Sequence, residues 1–260
     1  MSLDRRSLLA FGLAAATALS GALGCSVVAD PGPPKTKLYV LGVLHSGHLE
    51  SDSYSLEVLE AAIRKAAPDV ILTEIPPDRI DQAITSFQET GEVDEPRTQV
   101  FPEYTQVVFP LSREIDFRIL GTAGWTRQIA DNRAAALRRI RNDPARAQEW
   151  AEHTAATRKF VRELNGRGRD PLFIHTPDYD ALVKAGRTPY QENFDTDLGP
   201  GGWTQINKAH TDLINAELDK ISGKGLTALV TFGSAHKYKI LESVEGRDDT
   251  ELVDARALFE

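Results

Sequence analysis

Four short apolar runs limit what this 260-residue chain can fold into: residues 37–44, 69–73, 117–120 and 226–232. The first, second and fourth are rich in Leu, Val, Ile, Tyr or Phe without polar alternation and read as buried strands; the third reads as a strand ending at Gly121. Between the first two, Leu56, Leu59 and Ile63 recur at helical spacing. Asp52 or Ser53 can cap that helix and Pro68 stops it. A strand–helix–strand unit implies parallel pairing and a right-handed crossover. The expected class is therefore α/β, a central mainly parallel sheet with flanking helices.

The intervening segments fill in the organisation. Residues 80–87 read as a short helix and residues 90–105 as loop. Residues 126–142 are strongly helical, with Ala134, Leu137 and Ile140 on one side, until Asp143-Pro144 breaks the run. A second helix is expected over 144–164, and the polar surroundings of both mark a solvated pair outside the core. Residues 165–202 hold several Gly and Pro together with Phe173, Tyr179, Tyr190 and Phe194. They read as a long irregular cover over a site. Residues 203–221 form an amphipathic helix with Ile206, Leu213, Ile214, Leu218 and Ile221 on one face, stopped at Gly223. A last weak strand is expected near 251–255. The sum is one α/β domain over residues 37–260, with a helical and loop insertion at about 126–202.

The first 25 residues differ in kind. Arg5-Arg6 precedes an Ala-rich apolar stretch from Leu8 to Leu23, which ends at Gly24-Cys25. This is the build of a signal peptide, and the paired arginines resemble a twin-arginine export signal. The run is short for a bilayer span. Cys25 stands where a lipobox places its lipidated residue; the plainer reading is a residue of the cleavage region. Residues 26–36, with Pro31, Pro33 and Pro34, read as an extended tether. The expected location is exported, periplasmic or at the cell surface, with a lipid anchor holding the chain to the membrane. Cys25 is the only cysteine, so no internal disulfide and no cysteine metal site can form. The net charge of −8 and the lack of a basic, aromatic-studded face argue against nucleic-acid binding.

Three polar groups stand just past three of the apolar runs: His45, Glu74 and His236. In an open parallel sheet, ligands bind at the carboxyl ends of the strands. If the first, second and fourth strands are neighbours, these side chains share one rim. Both histidines follow a glycine by three positions, Gly42 to His45 and Gly233 to His236, which lets the backbone pass closely there. Two imidazoles and a carboxylate suit a divalent metal, which would activate water for attack on a carbonyl. Without metal, a histidine oriented by Glu74 can act as a general base. Singly, each residue reads as an ordinary hydrogen-bonded loop group; it is the conjunction at three strand ends that points to a site. His48 can add a ligand or simply begin a helix. There is no GxGxxG after a strand, no Walker A loop, no HExxH and no GxSxG. Gly199, Pro200, Gly201 and Gly202 follow no strand and read as a turn or hinge.

The stretch Leu41-Gly-Val-Leu-His45, the helix after it, and Ala67-Pro-Asp-Val-Ile-Leu-Thr-Glu74 resemble the opening of the TraB/PrgY/GumN and Tiki families, which group with erythromycin-esterase-like and ChaN-like proteins. Val230-Thr-Phe-Gly233-Ser-Ala-His236 resembles their second GxxH. The helix before it, with Lys208 and Asn215, resembles one that usually carries an Arg near the site; Lys208 stands at that position and lacks the planar fork. The resemblance covers residues 37–80 and 203–240. It implies an erythromycin-esterase/ChaN-like core and a site of His45, Glu74 and His236, with Lys208 and Asn215 on the substrate; His48, close to His45 in sequence, is a further substrate-binding candidate. It implies metal-dependent hydrolysis of a peptide or small-molecule ester, or else non-catalytic binding of haem or a peptide by a surface lipoprotein. Fold does not choose among these.

Overall fold

In the computed structural model, residues 32–260 are described. The expected signal segment and Cys25 lie outside the described residues. From Pro33 onward the chain forms one compact unit. Among the described residues no helix is long and apolar enough to cross a membrane.

The strands are β1 (Thr36–Val43), β2 (Val70–Thr73), β3 (Arg118–Gly121), β4 (Thr227–Gly233) and β5 (Thr250–Leu252). They lie in the order β3-β2-β4-β1-β5, and every pairing is parallel. The fold is thus α/β, as the apolar runs predict. β1 and β2 are parallel but do not touch: β4 inserts between them. Thr36, expected to end a free tether, is buried and pairs with Thr250 in β5.

Alternation along each strand sends side chains to two covered faces. Tyr39, Leu41, Val43, Ile71 and Leu229 share one cluster with α1 (Leu56–Ala66) and α2 (Pro77–Thr90). Leu38, Val40, Val70, Leu72, Ala228, Val230 and Phe232 share the other with α8 (Trp203–Ile221) and α9 (Lys237–Val244). Helices on both faces explain why these strands carry no polar alternation. α1 shows the local logic. Ser55 accepts from the Val58 N–H at the start; Leu59, Ala62, Ile63 and Ala66 form the buried face; Ala67 closes the helix in the left-handed region just before Pro68. Each fully buried aliphatic of this face contributes about 1.5–3 kcal/mol.

Segment 90–105 is not all loop. From Tyr104 to Val108 it winds as a π-type turn leading into α3 (Phe109–Leu111), and Tyr104, Val107, Val108 and Phe109 are core residues. The insertion departs further from expectation. α4 (Arg127–Asn142) and α5 (Ala147–Leu164) form as predicted, and α5 buries none of its residues. The segment expected to be irregular instead holds α6 (Pro171–Ile174) and the 22-residue α7 (Pro177–Leu198). Thr176 caps α7 and Pro177 sits at its first turn, where a missing N–H costs nothing. Tyr179, Val183, Tyr190, Phe194 and Leu198 form the buried stripe. The Gly and Pro content reads as irregularity only if that stripe is overlooked.

Candidate functional site

In register, Val43 of β1 pairs with Gly233 of β4, and Thr73 of β2 with Thr231. The three carboxyl ends therefore open on one rim, and His45, Glu74 and His236 meet there. His45 Nε2 lies 3.5 Å from Glu74 Oε2, and His236 Nε2 lies 4.0 Å from Glu74 Oε1. One carboxylate is thus faced by an imidazole on each oxygen. The glycine of the second GxxH makes this possible: a Cβ on Gly233 would fall 2.6 Å from His45 Nε2 and 3.3 Å from Glu74 Oε2. The Gly233 N–H instead donates to Glu74 Oε2 at 2.8 Å. His45 itself has φ +52, a left-handed conformation that costs a non-glycine residue about 1–2 kcal/mol. Such strain concentrates at functional sites.

Each rim group has a positioning partner. His45 Nδ1 donates to Glu103 Oε1 at 2.5 Å, and Glu103 is completely buried. The Glu74 N–H donates to Tyr104 Oη, which donates in turn to the Thr231 carbonyl. Asn207 spends its amide N–H on the Trp203 carbonyl, so its Oδ1 faces His236 Nδ1 at 2.7 Å. His236 Nδ1 must then carry the ring proton, leaving the Nε2 lone pair toward Glu74. Trp203 stacks on the same ring at 4.8 Å.

The electrostatics follow from this packing. Burial works to lower the His45 pKa, but the Glu103 hydrogen bond and the charges of Glu103 and Glu74 outweigh it, and the net shift is upward. Burial raises the Glu74 carboxyl, against the His45 charge and the Gly233 N–H. Burial first, with the nearby Arg187 charge adding to it, holds His236 well below its usual value. His210, fully buried on α8, is pushed down to about 3, chiefly by burial. It is neutral across the physiological range.

Glu74, His210 and His236 each present a ligand atom within 4.8 Å of the others, so this buried group could hold a metal ion. Hydrogen bonds grade the three. Glu74 and the Nε2 of His236 fit without rearrangement, since a ligating histidine typically donates its other N–H to an acceptor such as Asn207. His210 fits less well. The Gly124 N–H donates to its Nδ1 at 2.8 Å, which places its own proton on Nε2, where no hydrogen-bond partner is present among the described residues. Ligation through that nitrogen requires the proton to leave. As it stands, His210 offers a neutral N–H donor to the site. His45, expected in the metal set, lies on the opposite oxygen of Glu74 with Nδ1 committed to Glu103.

The residues expected on the substrate stand elsewhere. Trp203, Ile206, Asn207 and His210 form the site-facing stripe of α8. Lys208 is about 100° further around the helix, exposed and paired with Asp212 at 2.6 Å. Asn215 is two turns away and holds Arg247 and the Thr211 carbonyl. His48 is buried in a turn, accepting from the Leu44 N–H and donating to the Tyr54 carbonyl. Unrecognised from the sequence were Glu103, Tyr104, Asn207 and His210. Two signals were available: the spacing Trp203, Asn207, His210 puts three polar-tipped groups on one helical face, and Glu103 is a lone acid among apolar neighbours.

Above the rim lies a cavity of about 220 Å³ whose walls include Glu74, His236, Arg97, Trp125, Arg133 and Arg187. Tyr190, Gly201 and Trp203 complete the helical side. The segment expected to cover the site therefore does contribute to it, but as helix. Comparison with family models, with curated proteins and with solved structures returns no match.

Proposed function

We propose that the chain is an exported hydrolase of the Tiki/TraB type, acting on a peptide or ester carbonyl at a divalent-metal or water-activating centre built on Glu74. The observation that carries this reading is the pairing of imidazoles on the two oxygens of one buried carboxylate, each ring fixed from behind by a dedicated acceptor. The 4.0 Å separation of Glu74 and His236 is too long for a direct hydrogen bond and suits a shared water.

A divalent cation held by Glu74 and His236 would supply Lewis acidity to the water and the carbonyl. The chain's own groups account for the rest. The Glu74 oxygen left free by the cation takes the proton of the attacking water as the new C–O bond forms. The His210 N–H faces the carbonyl oxygen as negative charge gathers there; losing one such donor typically lowers the rate about 10²–10³-fold. The departing amine or alcohol recovers its proton from Glu74 as the C–N or C–O bond breaks.

Elemental analysis of the purified protein, combined with hydrolysis of chromogenic esters and peptides, tests this. Wild type is expected to hold about one metal per chain and to turn over, whereas His236→Ala should lose both with its melting temperature preserved. A His236→Ala protein that keeps its metal and its rate would sink the reading. A haem Soret band lost in His45→Ala, without hydrolysis by wild type, would replace it with the binding role.

A further inference from the structure

The chain is acidic overall, yet the cavity over Glu74 and His236 is lined by Arg97, Arg133 and Arg187. Among the described residues five arginines are half-buried: Arg79, Arg133, Arg146, Arg187 and Arg247. Three of these sit beside carboxylates, Arg79 with Asp78, Arg146 with Glu149 and Arg247 with Asp249. Arg133 and Arg187, among the described residues, have no carboxylate within 4.0 Å, and both face the same cavity. A half-buried guanidinium without a counter-charge is unfavourable, and two that share a cavity repel each other.

Both are nevertheless held in place by neutral groups. The Arg133 Nε–H donates to Tyr190 Oη at 3.1 Å. Arg187 lies over the Trp203 ring at 4.6 Å, and that ring stacks in turn on His236. Gly201 fits closely against this wall: a Cβ there would fall 2.8 Å from the Arg133 Cβ. Burial, together with the Arg133 charge, lowers the Arg187 pKa, as expected of a cation that lacks its counter-ion. Arg97 stands at the mouth and also lines an outer groove with Arg79, Trp125 and Arg127.

We propose that Arg133 and Arg187, with Arg97 at the mouth, form an oxyanion subsite that receives a carboxylate or phosphate group of the substrate beside the reacting carbonyl. Planar forks presented by rigid helices suit two-point binding of such groups. The proposal takes the cavity as the substrate site of the hydrolase read above and names that substrate as an anionic ester or peptide.

Calorimetric titration of inorganic phosphate, and separately of succinate, into the full chain tests it. Arg133→Gln and Arg187→Gln proteins are titrated alongside, with metal content and melting temperature measured on the same samples. At least one anion should bind wild type, and each variant should weaken it tenfold or more with metal content unchanged, which separates the arginines from any direct contact with a metal. Binding of phosphate alone assigns a tetrahedral group; binding of succinate alone assigns a planar one. Arg187→Lys, which keeps the charge without the fork, should fall between. The proposal is overturned if neither anion binds wild type, or if both Arg→Gln proteins bind as wild type does. Anion binding that needs the arginines, in a protein without metal or hydrolysis, would remove the hydrolase reading and leave the subsite standing.

Discussion

The two walls of the cavity are built on opposite terms. On the strand rim, His45, Glu74 and His236 each have a partner at 2.8 Å or less that fixes the orientation of the side chain. On the helical wall, Arg133 and Arg187 are held by Tyr190 and Trp203 and have no counter-charge among the described residues. A satisfied group is positioned for chemistry; an unsatisfied charge is positioned for a ligand. Under the proposed function, turnover would belong to the rim and selectivity to the wall.

The largest expected effect comes from breaking the rim. Glu74→Gln keeps the shape but removes the base and the shared negative charge, and kcat should fall by about 10³-fold. A comparable fall in an Arg133 or Arg187 variant, measured as kcat and not as KM, would erase the distinction between the walls.

The second effect asks whether buried histidines as such behave like the rim. His175 lies outside the cavity; its Nε2 accepts from the Gly42 N–H and its Nδ1 donates to the Pro171 carbonyl. Burial first, and then the Lys237 charge, lower its pKa to about 4. Because the folded value is depressed, the unfolded chain takes up the proton first as pH falls. Stability from this residue is complete above about pH 6.5 and declines toward pH 4, by roughly 3 kcal/mol. Denaturant titrations across that range should show the slope, and His175→Gln should remove this residue's share of it, leaving that of His210 and His236, with activity at pH 7 in place.

Next comes Gly233→Ala. The added methyl must displace His45 or Glu74, so stability should drop by about 1–3 kcal/mol and turnover should fall with it. An unchanged rate would mean that the close approach of the two side chains is not needed. The smallest effect belongs to α5, where Val161→Thr on the exposed face should change stability by less than about 0.5 kcal/mol.

How far the residues alone revealed this molecule follows the range of each signal. Runs such as Val70–Thr73 carry their own signature, since burial on both faces requires unbroken apolar sequence. The end of such a run marks the rim, so His45, Glu74 and His236 could be brought together by topology without knowing any contact. Glu103 could not, because its value comes from a partner 58 residues away. Lys208 was chosen by its place in a resembling helix, and one residue of rotation decides whether a side chain sees the cavity. In α7, Gly186, Pro177 and Pro189 mask locally the helical spacing of Tyr179, Val183, Tyr190 and Phe194.

The place of β4 has a consequence for the order of events in synthesis. The strand that joins β1 to β2 leaves the ribosome well after both of them, so a nascent chain carries two strands with no hydrogen-bonded bridge between them until residues 227–233 arrive. Such high contact order slows folding, and it means that no shortened product lacking this strand can bring His45, Glu74 and His236 to one rim, however well its helices form.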